Sequence, residues 1–109
     1  MYVRIYWGKI HPRSWEDLKK NYEKLMELPT PGLIGRMVMR DTVDSESIYT
    51  ITMWKDVESV TAWEKSEEYK TLYVAAVSAH ILGSRSVSLC EVKVENLTRH
   101  FKPGVIEAI

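Results

Sequence analysis

Cysteine is almost absent from this 109-residue chain. The single Cys90 excludes an internal disulfide and a cysteine-based zinc site, and its setting predicts a small buried strand residue. An excess of either charge is also lacking. Fifteen Lys and Arg face fifteen Asp and Glu, for a net charge of zero, so no nucleic-acid partner is expected. Without net repulsion, copies of the chain are free to associate. Long apolar runs are missing too. The longest spans residues 72–77, far short of a membrane span. The segment from Met1 to Trp7 lacks the apolar stretch of a secretory leader. A cytoplasmic protein with no membrane partner is the expectation. Finally, no G-x-G-x-x-G, Walker loop or G-x-S-x-G occurs, and His11, His80 and His100 show no ligand spacing. Nucleotide binding, serine hydrolysis and a metal site therefore have no support.

What is present suits one ordinary globular domain, with 45% hydrophobic and 28% charged residues. Residues 2–10 are rich in β-branched and aromatic side chains and read as a strand that His11-Pro12 stops. Ser14 is placed to cap a helix, with Asp17 three residues on and Trp15, Leu18, Tyr22 and Leu25 along one face. The run from Pro29 to Gly32 ends that helix. Residues 33–40 and 48–54 form two strands whose short loop implies an antiparallel hairpin. Asp56 caps a helix carrying Val57, Val60 and Trp63. Ser66 caps another, with Tyr69, Leu72, Tyr73, Ala76 and His80 on one stripe and Gly83 as its stop. Residues 86–94 make a fourth strand, closing a domain over 1–95. Residues 96–109 are a tail whose Phe101, Val105, Ile106 and Ile109 suggest an arm across a dimer.

The order βαββαβ predicts an α+β, ferredoxin-like antiparallel sheet with helices on one face. Val3, Ile5 and Trp7 oppose Tyr2, Tyr6 and Ile10. Leu33, Met37 and Met39 oppose Ile34 and Val38, and Ile48 and Trp54 oppose Tyr49, Ile51 and Met53. Both faces are thus apolar, and two helices cover only one. A second copy laid sheet against sheet covers the other.

The stretches Pro31-Gly32-Leu33-Ile34-Gly35, Ile51-Thr52-Met53-Trp54-Lys55-Asp56 and Val60-Thr61-Ala62-Trp63-Glu64-Lys65-Ser66-Glu67-Glu68-Tyr69 resemble the antibiotic biosynthesis monooxygenase superfamily. The resemblance covers roughly residues 2–94 and implies a dimeric α+β barrel. It also implies a cofactor-independent monooxygenase acting on a small aromatic or enolic metabolite, with no metal or flavin. By that resemblance Trp63 lines the cleft between helices and sheet, Tyr69 stands where quinone-forming members carry a tyrosine, and Arg85 lies near their arginine on the last strand. Ser59 replaces their asparagine. Haem-degrading members are matched only at Trp63, since Trp7 and Tyr73 fall where they place asparagine and histidine. Other members have no known activity, so a non-catalytic, ligand-binding or stress-related dimer is the main alternative.

Oxygenation without a cofactor needs an electron-rich phenol or enol, a group to deprotonate it, a cation to hold the anion, and walls that exclude water. Tyr69, Arg85 and His80 are the candidate catalytic residues, with His80 as base. Trp63, Trp7, Tyr73 and Arg36 are the candidates for substrate binding, through ring stacking and charge. Packing roles compete with each: Trp63, Tyr69 and Tyr73 as core, Arg36 as a rim or dimer-seam residue, Arg85 as support for a helix end, and His80 as a surface group.

Overall fold

The computed structural model describes residues 1–97. Strand β1 (Tyr2–Ile10) is followed by a 3-10 turn (Pro12–Ser14) and helix α1 (Trp15–Leu25). Then come β2 (Leu33–Arg40), β3 (Ser47–Trp54) and α2 (Val57–Lys65). A π-helical turn (Tyr69–Tyr73) runs into α3 (Val74–Ser78), and β4 (Ile81–Glu91) follows. All strand pairs are antiparallel, in the order β2-β3-β1-β4. This is the α+β, ferredoxin-like arrangement that the element order predicts.

Alternation along β1 sorts its residues between two environments. Arg4, Tyr6, Gly8 and Ile10 are buried under the helices, while Val3, Ile5 and Trp7 are half-buried on the other face. The core lies between sheet and helices, where Ile10, Leu18, Ile48, Trp54 and Val60 are the largest fully buried side chains. Across β1, Trp7 pairs with Tyr49, Ile5 with Ile51 and Val3 with Met53. Met37 and Met39 extend this second face and are exposed. The sheet therefore carries an open apolar face without a helix over it.

Local chemistry explains the helix boundaries. The Asp56 side chain accepts from the Ser59 N–H at 2.8 Å and starts α2. Ser66 Oγ donates to the Trp63 carbonyl at 2.7 Å and accepts from the Tyr69 N–H at 3.1 Å, joining the end of α2 to the next turn. Gly32 takes a φ of +81°, and its carbonyl accepts from the Lys55 N–H at 3.0 Å, so the Pro31-Gly32 turn is closed against the end of β3.

Five local expectations are corrected. Ser14 makes no side-chain cap, because the 3-10 turn already holds it in helical geometry. Gly83 has the left-handed φ of +69° but does not stop α3, which ends at Ser78. It lies within β4, where pairing jumps from Gly8↔Arg85 to Lys9↔Leu82, and its conformation serves that bulge. The fourth strand thus spans 81–91 rather than 86–94. Leu33 packs on the core, not beside Met37 and Met39, because a register shift between Leu33 and Gly35 changes its face. Cys90 is exposed rather than buried, since it pairs with Val3 on the open face of the edge strand β4. The tail is outside the described residues from 98 onward.

Candidate functional site

Between the sheet and the turn Tyr69–Tyr73 lies a cleft of about 240 Å³. Arg4 and Tyr6 reach it from β1, Arg85 and Val87 from β4, Glu64 from α2, Tyr69 and Tyr73 from the π-turn, and Val74 and Val77 from α3. The wide π geometry lays Tyr69 over Tyr73, with ring centroids 5.6 Å apart and planes 19° from parallel.

Arg4 is the organising charge. Its Nη2 donates to the Tyr69 hydroxyl at 3.0 Å and to Glu64 Oε2 at 3.3 Å, and the side chain is almost wholly buried. Arg85 makes no ion pair among the described residues. Two guanidinium groups against one carboxylate leave the cleft positive. Burial raises the Tyr6 phenol above its ordinary value, and the facing Arg85 pulls the other way. Burial also raises Tyr73 and Tyr22. These phenols therefore stay protonated at neutral pH.

The predicted site residues separate into two groups. Tyr69, Tyr73 and Arg85 come together in the cleft. Trp63 backs it, meeting Tyr69 and Tyr73 edge-on at 5.5 and 5.9 Å and Trp54 at 6.4 Å. Trp63 also lines a second cavity of about 260 Å³, with Pro31, Ser59 and Ser66. Three other residues do not line the cleft. Trp7 belongs to the open face, where its Nε1 donates to Ser47 Oγ at 3.2 Å. Arg36 packs over Trp63 at 5.7 Å and ties the end of α1 to the following loop through the Leu25 carbonyl and Thr30 Oγ1. Burial lowers its pKa. His80 follows α3 in a turn, its N–H donating to the Val77 carbonyl at 3.0 Å.

Arg4, Tyr6 and Glu64 complete the cleft and are absent from the sequence-based candidates. For Arg4 a signal existed: it shares strand parity with Tyr2, Tyr6 and Ile10, so it is a charge on an inward face. No group of three or more His, Cys, Asp or Glu suited to a metal occurs among the described residues. No helix among them is long and apolar enough to cross a membrane.

The fold is thus an α+β, ferredoxin-like sheet with a cationic, tyrosine-lined cleft between the sheet and its helices. The chain matches the antibiotic biosynthesis monooxygenase family over residues 1–74 and belongs to that family. No curated protein sequence matches it significantly. Among solved structures it is similar to an antibiotic biosynthesis monooxygenase at 21% identity, covering 86% of this chain and 100% of that one with a TM-score of 0.72. A conserved protein from Methanosarcina mazei Go1 is 18% identical, with coverage of 85% and 94% and a TM-score of 0.73. SnoaB, a cofactor-independent oxygenase from Streptomyces nogalater, is 14% identical, with coverage of 86% and 94% and a TM-score of 0.68. At these identities the structural likeness concerns the fold.

Proposed function

We propose that the protein is a cofactor-independent monooxygenase that oxidises a small phenol or enol in the cleft of Arg4, Tyr69 and Arg85. The positive surplus among valine and tyrosine walls carries this reading: it favours the ionised substrate over the neutral one in a site of low polarity. Once ionised, a phenol is electron-rich enough to react with oxygen. Oxygen adds to a ring carbon bearing hydrogen, and the resulting hydroperoxide loses water to leave a quinone. One oxygen atom enters the product and the other leaves as water. Glu64 is the sole carboxylate among the described residues that line the cleft and is the candidate proton acceptor, while Trp63 holds the two tyrosines against the pocket.

The test is oxygen uptake with dihydroxy-aromatic substrates. Uptake by the native protein that falls at least tenfold in Tyr69→Phe and Arg85→Ala is the expected result. Uptake unchanged in both variants removes these residues from the reaction.

One observation favours a second reading, a non-catalytic binding protein of the same fold. Glu64 is already paired with Arg4, and His80 does not line the cleft, so no unpaired base lines it among the described residues. Protection against thermal unfolding by phenols, without oxygen uptake, identifies that case.

We also propose that a second copy of the chain covers the open face formed by Val3, Ile5, Trp7, Met37, Met39, Tyr49 and Ile51. Such a continuous apolar surface, with methionines exposed at its edge, suits an isologous sheet-to-sheet contact. Light scattering is expected to give twice the 12.7 kDa chain mass, and Ile51→Glu to give a folded monomer. A native monomer at micromolar concentration overturns the dimer.

A further inference from the structure

We infer that the ligand presents an ionised oxygen to three donors the protein leaves unpartnered, the Nε–H of Arg4 and the hydroxyls of Tyr6 and Tyr73, and that this ligand has one or two rings or is an enol of similar size. The inference rests on the reading of the cleft as the ligand site and names what that site recognises.

Arg4, Tyr6 and Tyr73 are 3%, 7% and 5% exposed. Each nonetheless has a buried polar atom with no hydrogen-bond partner. Such atoms are rare in folded proteins, because burial strips their water and nothing replaces it. All three residues line the same cleft. The only other buried side-chain polar atom without a partner among the described residues, Arg36 Nε, belongs to a residue that does not line it.

Chemistry narrows what satisfies these atoms. An arginine Nε–H only donates, and the two phenols are kept protonated by burial, so all three are available as donors. A carbonyl oxygen has two lone pairs for donors and an oxyanion has three, so the oxygen that meets all three donors and gives no proton is an ionised one. A neutral hydroxyl has a proton of its own to place, and the one charged acceptor among the described cleft residues is Glu64, which Arg4 already engages. The guanidinium is fixed by its two Nη2 contacts, to Tyr69 and Glu64, so Nε is held in place before any ligand arrives. Arg85 adds a second positive charge. Size supplies the remaining constraint. At about 240 Å³ the cleft is smaller than the roughly 300–1,000 Å³ of pockets for drug-sized ligands. Val74, Val77 and Val87 offer flat apolar contact to a ring.

The probe is 4-nitrophenol, whose phenolate is coloured and whose neutral form is not, titrated with pH in the presence of excess full-length protein. The bound probe is expected to ionise about one pH unit below the free probe, a tenfold preference for the anion. Tyr6→Phe and Tyr73→Phe each remove a hydroxyl that makes no well-formed hydrogen bond within the fold, although Arg85 lies near the first and Tyr22 and Thr50 lie near the second. Each is expected to weaken phenolate binding about tenfold without lowering the melting temperature. A probe that binds in its neutral form, or binding unchanged in both variants, overturns the oxyanion assignment. A three-ring phenol such as 2-hydroxyanthracene is expected not to compete, and equal competition overturns the size limit. Oxygen uptake is read separately. A shifted titration with no uptake supports the oxyanion site and removes the oxygenase reading. Uptake that survives both phenylalanine variants undiminished overturns the oxyanion site and spares the oxygenase.

Discussion

The Arg4 guanidinium grips Tyr69 twice: Nη2 donates to the hydroxyl at 3.0 Å, and the guanidinium carbon lies 5.5 Å from the centroid of the same ring. This contact ties the central strand β1 to the π-turn. It therefore holds one wall of the cleft against the sheet. Tyr69→Phe keeps the ring and deletes the acceptor. Equilibrium urea unfolding is expected to show a loss of about 1.5–3 kcal/mol, the range for a hydrogen bond to a charged group. An unchanged midpoint means that the ring contact alone positions the turn.

Gly32 is the second point at which one residue decides the geometry. Its φ of +81° disfavours any side chain, and a Cβ there would collide with the Ser59 side chain at the start of α2. Gly32→Ala is expected to destabilise the protein by about 1–3 kcal/mol, combining backbone strain with the displacement of α2. Thermal unfolding checks this, and an alanine variant melting like the native protein shows that the turn relaxes freely.

Alkaline pH tests the buried phenols. Burial raises Tyr22, Tyr73 and Tyr6 above the ordinary tyrosine value. A raised pKa means that the folded state holds its proton more tightly than the unfolded state. The resulting stability is complete below the unfolded value of about 10 and is lost as pH climbs toward the folded values. Phenolate absorbance is expected in two phases, the second rising together with loss of the circular dichroism of the fold. Ionisation of all six tyrosines before any unfolding contradicts this burial.

Acid pH tests the cap of α2. The Asp56 carboxylate is held below its ordinary value by the Ser59 hydroxyl and then by the Ser59 N–H. Here the sign reverses. The contribution is present above the unfolded carboxylate value of about 4 and disappears as pH falls through the lower, folded value. Asp56→Asn keeps a capping oxygen and is expected to melt near the native temperature at neutral pH, with a flatter dependence on pH below 4. Asp56→Ala is expected to melt lower at every pH above that range. Parallel acid profiles for the native protein and the Asp56→Asn variant show that the carboxylate charge is irrelevant to the cap.

Most of the architecture was readable in one dimension. Period-two alternation in β1 and β3 set Ile10 against Ile5, and Ile48 and Trp54 against Ile51 and Tyr49, because a strand has only two sides; which set meets the helices came from the tertiary structure. Asp56 and Ser66 announced their helical turns because capping is a local bond, made within three residues. The segment from Pro31 to Tyr69 carried the family resemblance, which places the fold.

The cleft was legible only in part. Tyr69 and Tyr73 were expected from one stripe, but which residues oppose them depends on contacts between segments up to 65 positions apart, such as Arg4 with Tyr69. Trp7 could not be separated from Trp63 by composition. Strand parity sent it to the opposite side of the sheet. His80 kept its helical spacing on paper, yet α3 ends before it, and Gly83 spends its left-handed geometry on a strand bulge instead of a helix end. Local bonding preferences and side-chain periodicity write the elements into the chain. The meeting of Arg4, Tyr6, Tyr73 and Arg85 in one cleft exists only once the sheet pairs β1 with β4 and the helices close over them, since no short-range rule couples residues so far apart.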